Sequence, residues 1–397
     1  MAKKSNNRPV GRPRKHQTVE DAYRENVEQT TERKNLQSAL ARDLFKKIPK
    51  VADPKRRKRT KNNFVEFCRV YGWKTFKQEF SPVQLAIADR ITDAVLNGGK
   101  KAFAVFRRGR KTSTTRWGLL WAILQRHCDY VIYLGSTDEA TKRTFLYFQQ
   151  QIFQNDRLLE DFPEVFFPLR ETKGSSNKGL LYNGDRFLWK ISSDDIVFPM
   201  IPGFELSGRR IDFRSINSGA IRGADHTIFG EPKRPSLVIA DDFMSDESAG
   251  SDIQNDDMYD KFMGTIDYLS GIDDEGFVQP LPVLALGTCI EPNDAMSRLL
   301  DQEVSPDYRG EIFPRVLSMP DDLTLWMKYR EVRKVSLQKK GTIDDATEFY
   351  RLNRAAMDSG CVVSSPDERE RHMLSGIQYA MDSWAKNERK FWTEQQH

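Results

Sequence analysis

Four short apolar runs set apart by longer amphipathic segments constrain this chain more than any other feature. They are "AFAVF" (102–106), "YVIYLG" (130–135), "SLVIA" (236–240) and "PVLALGT" (282–288). Each is too short for a core helix. Each is apolar at nearly every position, as a strand covered on both faces must be. Between them lie helical patterns. "TSTTRWGLLWAILQR" places Trp117, Leu120, Trp121 and Leu124 on one face, and "DEATKRTFLYFQQQIFQ" follows the second run. Less regular strands are expected at "FLWKI" and "IDFRSI". Strands alternating with helices predict an α/β fold, a mostly parallel sheet sandwiched by helices.

Upstream, "SPVQLAIADRITDAVLNGG" is a marked helix, with Ser81 as N-cap, Pro82 in the first turn and Gly98-Gly99 at its end. From about residue 320 the pattern is mainly helical. The expected organisation is a basic, largely disordered arm at 1–61, an α/β domain at 62–310 and a helical subdomain or linker at 311–397. Within the arm, "TVEDAYRENVEQTTERKNLQSALARDLFKKI" is a weak, exposed helix candidate.

Charge separates the arm from the body. Residues 1–61 carry 19 Lys/Arg against 7 Asp/Glu, a net of +12, and the rest of the chain is −7 within an overall +5. A basic arm on a mildly acidic body points to a polyanionic partner. The four cysteines are far apart and the five histidines form no H-E-x-x-H, which argues against a disulfide framework or structural zinc and for a reducing cytoplasm. No run approaches the roughly 20 apolar residues of a membrane helix, and the N-terminus lacks an apolar secretory core.

The chemistry concentrates at strand ends. "AVFRRGRKTSTTR" (104–116) is a strand, a loop and a helix start, with Lys111-Thr112 where a phosphate-binding loop G-x-x-x-x-G-K-[ST] ends. Val105 and Arg110 stand at the two glycine positions, so only Gly109 offers backbone freedom and the turn must be built differently. Read alone, the loop is either a nucleotide cradle or a basic turn. As a cradle, Arg108, Gly109, Arg110, Lys111, Thr112 and Ser113 face the phosphates. The charges of Arg107, Arg108 and Arg110 compensate for the missing glycines, and Thr112 joins the Mg²⁺ shell. "PSLVIADDFMSDESAGS" ends an apolar strand in Asp241-Asp242. Adjacent carboxylates there need a cationic partner, and Mg²⁺-nucleotide supplies one. Asp241 is then the metal ligand, and Asp242 or Glu247 orients the attacking water. Thr288, closing "PVLALGT", is placed to sense the γ-phosphate. Arg222 in "NSGAIRGADH" is a candidate for stabilising phosphoryl charge in cis or trans.

Taken together and in order, these segments resemble the large terminase subunit of tailed bacteriophages, the ATP-driven DNA-packaging motor. The resemblance runs from about residue 80 to 397. It is carried by "FSPVQLAIADRITDAVLNGG", "NDRLLEDFPEVFFPLR", "GAIRG", "RPSLVIADD", "DESAGS", "GTCIEPNDAMSRLL", "FYRLNRAAMDSGCVVSS" and "SGIQYA…FWTEQQ". It implies an additional-strand, RecA-like P-loop ATPase that uses ATP and Mg²⁺. Lys111 and Thr112 become the Walker A residues, Asp241 the Walker B ligand, Asp242 the catalytic carboxylate, and Thr288 part of a coupling segment. The implied partners are double-stranded DNA, a portal protein, a small terminase subunit and further copies of the chain in a ring on the procapsid. The implied location is the host cytoplasm during assembly. Two departures stand out. The family loop usually reads P-R-G-x-G-K-T, whereas this one reads R-R-G-R-K-T. The acidic RNase H-type nuclease expected after "FW-x-E-x-Q" has no room here, so DNA cutting is expected to reside in a separate polypeptide or to be absent.

The arm carries two basic clusters. "VGRPRKH" has a G-R-P core like an AT-hook, with Arg12, Arg14 and Lys15 as DNA contacts. A solvated tail touching phosphates without sequence preference is the simpler expectation. "DPKRRKRTK" adds Arg56, Arg57, Lys58 and Arg59 as candidate phosphate contacts. Two other functions stay open: a helicase-type motor, and a DNA tether without ATPase activity.

Overall fold

Along the strand Leu237–Asp241 consecutive side chains point to opposite sides of one sheet. Leu237 and Ile239 enter one apolar core, and Val238 and Ala240 enter another. The same alternation holds in Val283–Gly287, where Leu284 and Leu286 oppose Val283 and Ala285. Period-two burial on both faces is why these runs read as continuously apolar.

The computed structural model describes residues 19–173, 180–218, 221, 224–244, 251–272 and 275–396. Its strands are β1 (Lys100–Val105), β2 (Tyr130–Gly135), the hairpin β3 (Leu181–Tyr182) and β4 (Asp185–Arg186), β5 (Lys190–Ile191), β6 (Asp195–Val197) and β7 (Arg210–Ser215). The hairpin β8 (His226–Ile228) and β9 (Glu231–Lys233) follows, then β10 (Leu237–Asp241), β11 (Val283–Gly287), β12 (Tyr308–Phe313), β13 (Val316–Ser318) and β14 (Val362–Val363). Eight of them form the main sheet in the order β12-β1-β11-β10-β2-β7-β6-β5. The first six are parallel, and β6 and β5 extend the edge antiparallel. The chain leaves β1 for β2 and β7 on one side. It returns through β10 and β11 and then crosses β1 to β12. Open α/β sheets bind ligands beside such a reversal, outside the carboxyl ends of the strands.

On one face lie α3 (Phe64–Tyr71), α4 (Pro82–Asn97), α5 (Lys111–Leu124), α6 (Asp138–Gln154), α7 (Asp156–Asp161) and α8 (Pro163–Glu171), all contributing to the first core. They follow α1 (Val19–Arg42) and α2 (Pro54–Arg59) in the chain. On the other face lie α9 (Asp252–Ile266) and α10 (Ala295–Leu300). The expected cap of α4 is present as a capping box, with Ser81 and Gln84 exchanging backbone N–H bonds, Pro82 in the first turn and Gly98 closing at φ 78°.

The C-terminal region, α11 (Thr324–Lys340), α12 (Asp344–Asp358), α13 (Gly376–Lys386) and α14 (Glu388–Phe391), has its own core around Trp326, Tyr329, Tyr350, Met381 and Trp384. It is not purely helical, because β13 and β14 pair at its edge. The expected boundary at 310/311 falls inside β12, which pairs with β1 in register through Phe313, so the sheet unit extends past it.

The arm also ends earlier than expected. Residues 43–61 are docked on the α/β body. The Arg56 guanidinium holds the fully buried Asp161 at 2.6 Å and also Glu160, Arg57 pairs with the buried Glu164 at 2.8 Å, and Arg59 pairs with Glu66. Tyr71 donates to the same Asp161 at 2.6 Å. A buried carboxylate needs such partners, so Arg56 and Arg57 clamp α2 onto α7 and α8, and Arg59 is spent on α3. Of the four arginines and lysines proposed for DNA in this cluster, only Lys58 is exposed with no carboxylate partner among the described residues.

Candidate active site

The loop after β1 reaches its turn in an unexpected way. Positive φ falls on the arginines, Arg108 at 75° and Arg110 at 60°, while Gly109 keeps ordinary φ. Arg110 thus takes the left-handed conformation at the position where a P-loop carries its second glycine. Such a conformation costs a non-glycine residue about 1–2 kcal/mol. Gly109 is needed for a different reason: a Cβ there would sit 2.6 Å from Val105 Cγ1 and 3.0 Å from the Phe106 carbonyl oxygen. The loop folds back tightly enough for Gly109 N–H to donate to that carbonyl at 2.9 Å.

Immediately after this turn α5 begins, and no side chain caps its N-terminus. The backbone N–H groups of its first turn, at Lys111, Thr112 and Ser113, therefore face the carboxyl edge of the sheet beside the loop, an arrangement suited to an anion. Lys111 is buried to 8% exposure. Its ammonium donates to Thr288 Oγ1, just past β11, and lies 2.8 Å from Asp242 Oδ1, just past β10. These three residues, with Arg107, Phe243, Met244, Gly287 and Ile290, line a cavity of about 240 Å³. Residues 177 apart in sequence meet because β1, β11 and β10 are sheet neighbours.

The two acids differ in kind. Asp241 is 4% exposed, with Oδ1 accepting from Thr112 Oγ1 at 3.3 Å and Oδ2 from the Tyr133 hydroxyl at 2.9 Å. Burial, reinforced by the negative charge of Asp242, pushes its carboxyl up to about 6, against the pull of Lys111 and Tyr133. A bound cation would relieve this cost. Thr112 Oγ1 and Asp241 Oδ1 are also spaced to share one, since adjacent octahedral ligands of Mg²⁺ are about 3 Å apart. Mg²⁺ takes few protein ligands and keeps waters and phosphate oxygens, so one carboxylate and one hydroxyl suffice. Asp242, in contrast, has φ 45° and a half-exposed side chain on the cavity wall.

Tyr133 was not legible as a site residue. It links Asp241 to Thr144, whose hydroxyl donates to the tyrosine oxygen at 3.1 Å and accepts from Arg116 at 2.9 Å. The only sequence signal was a phenol, one of two with Tyr130, in a buried strand whose other side chains are aliphatic. A second residue missed is Gln84. Its Oε1 is used in the cap of α4, but its buried Nε2 has no partner, and it lines a cleft of about 610 Å³ with Phe80, Gly109 and Arg110.

The loop arginines do not point where expected. Arg108 donates to the Tyr379 hydroxyl at 2.7 Å and Arg110 to Gln78 Oε1 at 3.0 Å. Their charge is directed at the C-terminal region and at the segment before α4, whereas Arg107 lines the cavity at Lys111. Burial pushes the thiol of Cys289, beside Thr288, up to about 11, which keeps it protonated near neutral pH. Arg222, Glu247, Arg12, Arg14 and Lys15 lie outside the described residues. Among the described residues no helix is long and apolar enough to cross a membrane. No protein-family model matches this chain, and no curated protein matches it in sequence.

Proposed function

We propose that this chain is a P-loop ATPase of the terminase large-subunit type, hydrolysing ATP to drive double-stranded DNA into a procapsid. One observation carries the reading: Lys111 and Thr112 at the start of α5 meet Asp242, Asp241 and Thr288 at the carboxyl ends of the neighbouring strands β10 and β11. The strand order supports it as well. β11 lies between β1, which bears the lysine loop, and β10, which bears the acids, as the additional-strand class requires.

Each residue then has a task. Lys111 exchanges Asp242 for β- and γ-phosphate oxygens, helped by the N–H groups of Lys111, Thr112 and Ser113. Thr112 and Asp241 would hold Mg²⁺, which would supply neutralisation of developing phosphate charge. Asp241 suits that role because both its oxygens are fixed. Asp242, released from Lys111 and half exposed, is free to orient water, a role Glu247 shares as a candidate. Thr288 exchanges Lys111 for the γ-phosphate and reports its loss to α10. Arg222 is the candidate for charge stabilisation in cis or from a neighbouring copy. The cleft at Gln84 offers an amide donor to the base. The basic arm holds DNA, and the partners are portal protein, a small terminase subunit and other copies in a ring, in the host cytoplasm during assembly.

The test is a titration of a labelled ATP analogue with Mg²⁺. Lys111→Ala should weaken binding by about tenfold or more, as loss of a charged hydrogen-bond donor does. Indifference to that substitution would leave the DNA-tether reading. Hydrolysis stimulated by free DNA without a portal protein would favour the helicase-type motor.

A further inference from the structure

A cavity of about 900 Å³ lies between the β1–α5 loop and the C-terminal helices, and plays no part in the function proposed above. On its wall is Arg315, a fully charged side chain held at 4% exposure. Its backbone is pinned on both sides, its N–H donating to Gln395 O at 2.7 Å and its carbonyl accepting from Ser364 N–H at 2.9 Å. The guanidinium is stacked over Tyr379, 4.3 Å from the ring centroid, and near Phe106 at 5.5 Å. Aromatic rings stabilise a cation by about 0.5–2 kcal/mol but supply no counter-charge. Among the described residues its one carboxylate contact is Glu368, at 4.0 Å and partly in solvent, and Arg108 adds repulsion on the same Tyr379. A buried cation in this position is costly unless an anion completes it. Consistent with that, burial pulls the Arg315 guanidinium below its ordinary range.

The rest of the wall does not balance it. Arg333 is neutralised by Asp382 at 2.8 Å, and Arg107 faces Glu394 at 3.6 Å. Lys386 and Lys390 stand exposed on the rim, against Glu370 and Asp344. Arg107 lines both this cavity and the one at Lys111.

We propose that this cavity is a second phosphoryl-oxyanion site, anchored by Arg315 and rimmed by Lys386 and Lys390. Guanidinium geometry suits a phosphate group, which can take paired N–H donors from it. The source is either orthophosphate or a nucleic-acid phosphodiester. Neither depends on nucleotide binding at Lys111.

The experiment uses full-length Lys111→Ala protein, so that phosphate at the first site does not contribute. Sodium phosphate is titrated against chloride at equal ionic strength, and melting temperature and calorimetric heat are followed. A saturable, phosphate-dependent gain is expected. Arg315→Met in that background should weaken phosphate binding at least about tenfold. It should leave stability in chloride unchanged or raised, because an apolar side chain of similar length replaces an unbalanced charge. Should that variant fail to fold, Lys386→Ala/Lys390→Ala changes only exposed positions and should weaken phosphate about three- to fivefold. A short DNA duplex that displaces phosphate assigns the site to phosphodiesters, and one that does not assigns it to orthophosphate. No phosphate-dependent gain in Lys111→Ala, an undiminished gain in Arg315→Met, or unchanged affinity in the lysine pair would overturn the proposal.

Discussion

Asp241→Asn should stabilise the ligand-free protein while disabling it. The carboxyl shifts from an ordinary 3.8 to about 6 on folding, so the folded chain holds its proton more tightly than the unfolded one. The associated stabilisation is complete below about pH 4 and is lost as pH rises toward 6; above that a buried, ionised carboxylate opposes folding. On that shift the wild type forfeits on the order of 3 kcal/mol between pH 4 and pH 7, with little change beyond. Asparagine keeps the shape and an acceptor for Tyr133, and has no charge to desolvate. Its advantage over wild type should therefore grow by roughly 1 kcal/mol between pH 5 and pH 7 and then level off. The loss of attraction to Lys111 reduces the absolute gain without changing the direction of the trend. The assay is urea unfolding of both proteins at pH 5, 6, 7 and 8 without Mg²⁺ or nucleotide. Addition of Mg²⁺ and an ATP analogue should then stabilise wild type and not the variant. Parallel stability curves across this pH range, or an asparagine protein that loses ground as pH rises, would refute the argument that burial dominates at Asp241.

Three other outcomes follow from the same geometry. Arg110→Gly removes a left-handed arginine at φ 60°, and after the entropy penalty of glycine should stabilise by about 0.5–1 kcal/mol; a loss above 1 kcal/mol in urea melts would mean that the Gln78 bond matters more than the backbone. Arg56→Ala strands the buried Asp161 and should cost about 3–5 kcal/mol, whereas Lys58→Ala should change stability by less than about 0.5 kcal/mol. In filter binding, Lys58→Ala should weaken DNA affinity and flatten its salt dependence, and equal stability effects at the two positions would contradict the docking of α2. Asp242→Asn should keep ATP-analogue affinity within a few-fold of wild type and reduce hydrolysis by about a hundredfold or more; unchanged turnover would shift the water-orienting role elsewhere.

Local chemistry made much of this architecture readable. "SLVIA" and "PVLALGT" could only be strands covered on both sides, because no polar face interrupts them. Ser81-Pro82 could only start a helix, since the serine oxygen satisfies an N–H and proline lacks one. Lys111 at a strand-to-helix turn and Asp241 at a strand end were legible for the same reason: each is fixed by its immediate neighbours. The readings that failed were those about partners. "DPKRRKRTK" looks like a phosphate-binding cluster until Asp161, 105 residues away from Arg56, is brought beneath it. The arginines of the loop look like phosphate ligands until Tyr379 and Gln78 take them.

The chain alone determined which segments become strands and helices and which of their ends carry charge, because hydrophobic period and capping act over a few residues. Tertiary structure decided the rest: the sheet order that seats β11 between β1 and β10, the closure of Lys111 onto Asp242 and Thr288, and the isolation of Arg315 in its cavity. Those outcomes depend on through-space pairing between distant segments, where desolvation and Coulomb attraction choose among many partners that look equivalent in one dimension.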